Sequence, residues 1–295
     1  MTDLHARVGT VPLVNPIMLA SGTAGYGPEL ASFLPLDQIG AVVTKSLAAY
    51  EWAGNPAPRV HPTRAGMLNA VGLQGPGVAA WLEHDLPSLL STGATVVVSI
   101  WGRTVDDYLQ AAEMLAQAPV GVVAVEVNLS CPNLKGKEMF AQSPASAAAV
   151  MAATALVNRP RWAKLTAAVA SVPEIARAAV DGGASAVTLI NTVPGLVLDI
   201  SRRRPLLGNG SGGLSGAAIG PVALKAVWDV RAALPDLPII GVGGISTAQD
   251  VVAMLLAGAN AVQIGTASFA DPRSAFKVLK GSETMVRSQW HWVVE

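Results

Sequence analysis

Two lysines stand at or near the ends of short apolar runs, which is an unusual place for an ammonium group. Lys45 follows the run 41–44, and Lys164 lies in the run 162–165. Charged side chains are rarely buried without a partner of opposite charge. A lysine that extends its ammonium to solvent along the surface is the alternative interpretation. We expect both ammonium groups to face an anion, and a reduced flavin, which is negative near N1, would supply one.

The chain has one cysteine, Cys131, which follows another apolar run in the stretch 128–133, NLSCPN. Cysteine thiols have a pKa of about 8.5, so a thiolate can serve as the base for a weakly acidic carbon-bound proton. An inert core cysteine and a covalent nucleophile are the alternatives. None of the four histidines, at positions 5, 61, 84 and 291, is close in sequence to activate a nucleophile. The pattern therefore favours a general base.

Four asparagines stand at or beyond the ends of these runs: Asn69, Asn128, Asn133 and Asn191. Each amide offers both a donor and an acceptor, which suits a planar ring with alternating N–H and C=O groups. Turn-forming asparagines are the alternative. The set favours a heterocyclic ligand.

Two pairs, Gly243-Gly244 and Gly265-Thr266, directly follow the last two apolar runs. Glycine lets backbone amides approach a phosphate closely, and α/β barrels commonly bind phosphate after their last two strands. Each pair alone could simply form a tight turn. Together the two pairs favour a phosphate site.

The elements that must position these residues are short apolar runs separated by helical patterns. Runs without apolar and polar alternation are typical of parallel strands covered on both faces. Eight such runs predict a (β/α)8 TIM barrel of the α/β class, with the polar strand ends meeting at one mouth. We expect one domain over residues 1–295, with a small hairpin at 6–15 that caps the barrel floor. The runs are 16–20, 41–44, 96–100, 122–127, 162–165, 186–190, 238–242 and 261–264.

Helix signals lie between the runs. Thr104 with Asp107, and Thr247 with Asp250, have the spacing of a capping box at a helix start. Further helices are predicted at 144–157, 172–180 and 221–234. The connections 45–77, 130–143 and 192–220 are too long for simple turns, and we expect them to form long active-site loops, as substrate walls and a lid.

Composition excludes several classes of protein. Lys plus Arg equals Asp plus Glu at 20 each, so nothing favours a nucleic acid or an anionic membrane as partner. No apolar run approaches the roughly 20 residues of a membrane span, and we expect a cytoplasmic protein. A single cysteine excludes a disulfide, a structural zinc site and a protein-held iron-sulfur cluster within this chain.

Taken in order, these motifs resemble the class 1 dihydroorotate dehydrogenases. The resemblance runs from about residue 11 to 272, with little beyond. The matching stretches are 15–22, 44–46, 54–59, 68–74, 128–133, 190–192, 209–216, 241–244 and 264–266.

The resemblance implies oxidation of (S)-dihydroorotate to orotate in de novo pyrimidine (UMP) biosynthesis. Cys131 would take the proton from C5, the hydride from C6 would pass to FMN, and Lys45 would join Cys131 as a catalytic residue. The implied substrate-binding residues are Lys45, Asn69, Gly72, Leu73, Asn128, Asn133, Asn191 and Thr192. The implied FMN-binding residues are Ser21, Gly22, Lys45, Ser46, Asn128, Lys164, Ile190, Gly216, Gly243, Gly244, Gly265 and Thr266.

The stretches 68–74 and 213–216 are similar to the B type, whose partner subunit carries FAD and an iron-sulfur cluster and reduces NAD. A second protein is then required, because this chain has neither the cysteines nor a G-x-G-x-x-G fingerprint for those tasks. The family also suggests a homodimer at the core of a heterotetramer.

Three alternatives stay open from the residues: a flavin barrel for another dihydropyrimidine, a fumarate-linked A-type enzyme, and a non-catalytic ligand-binding barrel. Two departures from the family pattern bear on them. Residues 167–169 replace a usual Pro-Asn pair, and the predicted lid at 134–142 lacks the common Gly-Thr-Asp ending.

Overall fold

The structure, a computed structural model, describes residues 4–130 and 139–289, with side chains up to residue 285. Its strands are β1 (Ala6–Val8), β2 (Val11–Leu13), β3 (Ile17–Leu19), β4 (Ala41–Val43), β5 (Val60–Thr63), β6 (Gly66–Asn69), β7 (Val96–Ile100), β8 (Val122–Asn128), β9 (Arg161–Leu165), β10 (Ala186–Leu189), β11 (Val193–Gly195), β12 (Leu198–Asp199), β13 (Arg204–Pro205), β14 (Gly212–Ser215), β15 (Ile239–Val242) and β16 (Ala261–Ile264).

The helices are α1 (Val78–Ala80), α2 (Leu86–Leu90), α3 (Val105–Leu115), α4 (Pro144–Ala153), α5 (Val172–Asp181), α6 (Gly220–Ala233), α7 (Ala248–Leu256), α8 (Ala267–Ala270) and α9 (Ser274–Gln289), with a π-helical turn, Trp81–Asp85, joining the first two. None of those within the described ranges is both long and apolar enough to cross a membrane.

Eight strands pair in parallel and close into a barrel, in the order β3-β4-β7-β8-β9-β10-β15-β16 and back to β3. They coincide with the eight apolar runs, so the predicted (β/α)8 barrel is confirmed. Nearly every residue of these strands is buried, because one face of each strand fills the barrel and the other packs under helices. For this reason the sequences of these strands do not alternate between apolar and polar residues.

The N-terminal segment forms an antiparallel hairpin of β1 and β2, in which Ala6 pairs with Leu13. Val8 and Leu13 belong to one buried cluster with Met18 and Trp162 of the barrel strands. Residues two apart on a strand point to the same face, so this cluster is the apolar bottom layer of the barrel interior. The predicted cap on the barrel floor is confirmed.

Both predicted capping boxes are confirmed. The Thr104 hydroxyl accepts from the amide of Asp107 at 3.2 Å, and the Asp107 carboxylate accepts from the amide of Thr104 at 3.1 Å. Thr247 and Asp250 repeat the arrangement at the start of α7.

The helix predicted over 144–157 is shorter than expected, because α4 ends at Ala153. The next residue, Thr154, leaves the helical conformation with φ −87° and ψ 8°. Its hydroxyl donates to the carbonyl of Met151 at 2.8 Å, which supplies a partner for the helix end.

Two of the long connections contain strands that we did not predict. β5 and β6 from the first, and β11 and β14 from the third, form a four-stranded antiparallel sheet in the order β11-β14-β6-β5. Each strand has only three or four residues, and the two pairs are far apart in sequence. Local patterns carry no signal for such pairing. Helix α9 was also not predicted.

The floor cluster predicts a large difference between two tryptophans. Trp162 is fully buried in that cluster, whereas Trp228 on α6 is 63% exposed. We expect Trp162→Ala to lower the free energy of unfolding by about 3–5 kcal/mol, because it removes buried area and leaves a cavity. Trp228→Ala, the matched control, should change it by less than about 0.5 kcal/mol. Urea denaturation followed by circular dichroism measures both, and equal losses would contradict the assignment of the floor.

Candidate active site

A cavity of about 670 Å³ opens at the carboxyl ends of the barrel strands, with the antiparallel sheet as one wall. Every predicted site residue that the structure describes lines it. These residues are Ser21, Gly22, Lys45, Ser46, Asn69, Gly72, Leu73, Asn128, Lys164, Ile190, Asn191, Thr192, Gly216, Gly243, Gly244, Gly265 and Thr266. Cys131 and Asn133 lie outside the described residues, as do residues 134–138 of the predicted lid.

Two of the asparagines are held together by a hydrogen-bonded network. Asn191 donates to the Asn128 side-chain oxygen at 3.1 Å, and Asn128 donates to the Ser46 hydroxyl at 3.1 Å. Ser46 in turn lies 2.9 Å from the hydroxyl of buried Ser99 on β7. Amides fixed in this way present defined donors and acceptors to a bound ring.

Lys45 is a partly buried cation at the mouth of the barrel. Its Nζ lies over the ring of Tyr26, 5.4 Å from the ring centre. Burial, and secondarily the charge of Arg59, lower the pKa of the Lys45 ammonium to about 8. An anion bound beside it would restore the charged form.

The loop that carries part of the predicted substrate site is held by the preceding connection. The indole of Trp52 donates to the carbonyl of Gly72 at 3.0 Å, and the Arg59 guanidinium donates to the carbonyl of Ala53 at 3.0 Å and to the side chain of Gln74. A Cβ on Gly72 would lie 2.6 Å from the backbone nitrogen of Asn55. The motif at 54–59 therefore braces residues 69–74.

Lys164 is 4% exposed and lines the cavity. Its Nζ contacts Gln263 and Glu126, each at 3.3 Å. Neither Gln263 nor Glu126 was predicted from the sequence as a partner of Lys164, although the sequence carries a signal for both. Each is a polar residue inside an otherwise apolar strand run, where only a partner justifies its presence.

Two of the glycines that line the cavity are required by close packing of the chain. Gly244 has φ +78°, and a Cβ there would lie 2.5 Å from the Cα of Gly220. Gly216 has φ +93°, and a Cβ there would lie 2.6 Å from the Cα of Gly66. Gly265 is under no such constraint, since a Cβ there would meet nothing closer than 3.4 Å. Close packing accounts for the first two glycines, so the phosphate role of Gly244 and the FMN-binding role of Gly216 stay predictions.

The cavity has the features that flavin mononucleotide requires. Its volume lies within the roughly 300–1,000 Å³ of small-molecule sites. Its lining includes the buried ammonium of Lys164 and the glycine turns after the last two barrel strands. These residues fit a flavin, because Lys164 would offer a cation to the ring and the turns at Gly244 and Gly265 would offer backbone amides to the phosphate.

Comparison with known proteins gave a consistent set of relatives. The family model described as dihydroorotate dehydrogenase matches residues 3–285. The chain is 46% identical over 284 residues to the protein named dihydroorotate dehydrogenase B (NAD(+)), catalytic subunit, of Geotalea uraniireducens, covering 96% of this chain and 92% of that one. The protein of the same name from Alkaliphilus oremlandii is 47% identical over 283 residues, covering 95% and 93%. The expectation that little similarity lies beyond residue 272 is wrong.

The lowered pKa of Lys45 predicts a pH dependence of anion binding. Below pH 8 the ammonium is charged and would attract a bound carboxylate, whereas above pH 8 the free protein loses that charge. We expect the affinity for orotate to fall as pH rises from 7 to 9.5, by up to about tenfold per pH unit above 8. Absorbance titration of the FMN-loaded protein measures it.

Lys45→Met is the control, and both proteins should carry Cys131→Ser so that thiol ionisation does not contribute. The Met variant should bind orotate more weakly and without the fall above pH 8. An unchanged fall in that variant would show that another group titrates.

Proposed function

The chain belongs to the dihydroorotate dehydrogenase family, and we propose that it is the catalytic subunit of a B-type enzyme, which oxidises (S)-dihydroorotate to orotate in de novo pyrimidine biosynthesis. The electrons pass to a partner subunit and from there to NAD. The proposal assigns FMN to this chain, as one domain over residues 1–295, in the cytoplasm.

The observation that carries the proposal is the convergence of two kinds of group in one cavity. Lys45, Asn69, Asn128 and Asn191 offer a cation and amides, as a carboxylated pyrimidine requires. Lys164 and the glycine turns, which line the same cavity, offer a cation and backbone amides to a flavin. A substrate bound among the asparagines would therefore lie against the flavin ring.

FMN, when bound, supplies the acceptor for the hydride that leaves C6 of dihydroorotate. The remaining chemistry belongs to the chain. Asn128 and Asn191 orient the ring by hydrogen bonds to its amide groups, and Lys45 binds the carboxylate. Lys164 provides a fixed positive charge for the negative charge near N1.

Cys131 is proposed as the base that removes the C5 proton, which then resides on its sulfur. The residue before it is firmly held. Ser130 is fully buried, its hydroxyl donates to the carbonyl of Lys164 at 3.0 Å, and its backbone carbonyl accepts from Asn191 at 3.2 Å. The loop that carries the base thus starts from a fixed point beside β9.

A partner protein follows from the proposed B type. We propose that it carries FAD and an iron-sulfur cluster, and that a homodimer of this chain forms the core of a heterotetramer. Relatives named "catalytic subunit" support a separate electron-transfer subunit, as does the single cysteine of this chain.

The role of Cys131 as the base can be tested by the rate of flavin reduction. With FMN-loaded protein and dihydroorotate under anaerobic conditions, we expect rapid bleaching of the flavin absorbance in the wild type. Cys131→Ser should slow the bleaching by about 100-fold or more at neutral pH, because a hydroxyl is a much weaker base. Stopped-flow absorbance measures the rate. Equal rates would contradict the role of Cys131.

Dithionite and a second substrate are the controls for that experiment. If the flavin of the wild-type protein is reduced by dithionite and by a dihydropyrimidine such as dihydrouracil, but not by dihydroorotate, that result would favour the alternative of a flavin barrel for another dihydropyrimidine. Protein that binds no flavin would favour a non-catalytic barrel.

The electron acceptor can be tested by turnover of the isolated chain. The isolated chain should reduce neither NAD nor fumarate at a useful rate after dihydroorotate is added, because the route to NAD needs the partner. Steady-state turnover with each acceptor measures this. Rapid turnover with fumarate would establish the A-type alternative instead.

A further inference from the structure

Glu126 is a fully buried carboxylate that the proposed mechanism does not use. It lies on β8, two residues before Asn128, and therefore points into the barrel interior, beneath the cavity. Barrel interiors are ordinarily filled by branched apolar side chains. A buried carboxylate is costly unless paired and hydrogen-bonded. Its presence calls for a reason beyond packing.

Three donors surround this carboxylate. Its Oε2 accepts from the Gln263 amide at 2.7 Å and from the Thr188 hydroxyl at 3.1 Å. Its Oε1 lies 3.3 Å from the ammonium of Lys164 and accepts no hydrogen bond from the residues that the structure describes, so that contact is ionic. Gln263 also accepts from Lys164 at 3.3 Å through its side-chain oxygen. The four side chains form one closed network.

The network restrains the ammonium of Lys164. A lysine stem has about 2 kcal/mol of rotamer entropy, so a free ammonium would sample many positions. Here Glu126 and Gln263 hold two sides of the group, while Lys164 still lines the cavity. A cation fixed before its anion arrives needs no reorganisation when charge develops.

We infer that Glu126 is a positioning residue, which together with Thr188 and Gln263 fixes the Lys164 ammonium against the flavin ring and acts on flavin binding and reduction only through Lys164. The inference rests on the proposed function, because it takes FMN to be the anion above Lys164.

An amide at position 126 cannot replace the carboxylate. The Gln263 amide and the Thr188 hydroxyl donate to it and the Lys164 ammonium pairs with its charge, whereas a glutamine is neutral, offers one acceptor oxygen and brings two donors of its own. Glu126→Gln therefore leaves donors facing donors, and Lys164 must move. Thr188→Val is milder, since it removes one donor and keeps the charge.

The test is a double-mutant cycle on the full chain. FMN is titrated into flavin-free protein by fluorescence, and the midpoint potential of the bound flavin is measured. We expect Glu126→Gln to weaken FMN binding about tenfold, which corresponds to about 1.4 kcal/mol, and to make the potential more negative. Thr188→Val should weaken binding about threefold. In a Lys164→Met background both changes should have less than a twofold effect.

Asp229→Asn is the matched control, because it makes the same change in an exposed ion pair with Lys225, 2.7 Å long, on α6. It should alter FMN binding by less than twofold. Equal losses in the wild-type and Lys164→Met backgrounds would overturn the inference, because they would mark a merely structural role. So would a folded Glu126→Gln protein with unchanged binding and potential.

Three further outcomes have a defined meaning. If Glu126→Gln does not fold, the effect of Thr188→Val on FMN binding, compared between the wild-type and Lys164→Met backgrounds, tests the inference by the same criteria. If Lys164→Met does not bind FMN, the potential of Glu126→Gln decides alone, with a shift to more negative values supporting the inference and no shift overturning it. Wild-type protein that fails to bind FMN would instead overturn the proposed function.

Discussion

A closed ring of backbone hydrogen bonds is the constraint on which the rest of this structure depends. β16 pairs with β3, and the amide of Ala20 donates to the carbonyl of Ile264 at 2.9 Å, so the two ends of the strand series lie side by side. Because all eight strands are parallel, their carboxyl ends must meet at one face. Residues as distant in sequence as Ser21 and Thr266 therefore line one cavity.

The same strands divide the barrel interior into layers of different chemistry. Trp162 and Lys164 point inward from β9, two residues apart, with the tryptophan in the apolar floor and the lysine in the polar layer above it. Ala124 and Glu126 repeat this step on β8. The apolar layer excludes water beneath the ion pair, which strengthens its electrostatics and also makes complete pairing necessary. The apolar floor contributes to stability, whereas the polar residues of the predicted site lie at the mouth of the barrel.

The wall of the cavity is built from two connections that are far apart in sequence. Asn69 of β6 lies opposite Gly213 of β14, and the two strands continue until the chains nearly touch at Gly66 and Gly216. A side chain at either glycine would prevent that approach. Glycine at these two positions allows the two loops to contact each other. This contact places the predicted substrate and cofactor residues of both loops at one wall of the cavity.

The sequence by itself determined the barrel, its eight strands, the hairpin on its floor, both capping boxes and the set of polar strand ends. These features depend on local sequence patterns: continuous apolar runs for strands buried on both faces, and capping residues and glycines at fixed spacings. Only the tertiary structure decided that β6 pairs with β14, that Lys45 lies over Tyr26, and that Glu126 and Gln263 hold Lys164. Those contacts join residues that are well separated along the chain, such as Lys164 and Gln263, which are 99 positions apart. No local pattern encodes them, because the partners are chosen by barrel closure and by the need to pair buried polar groups.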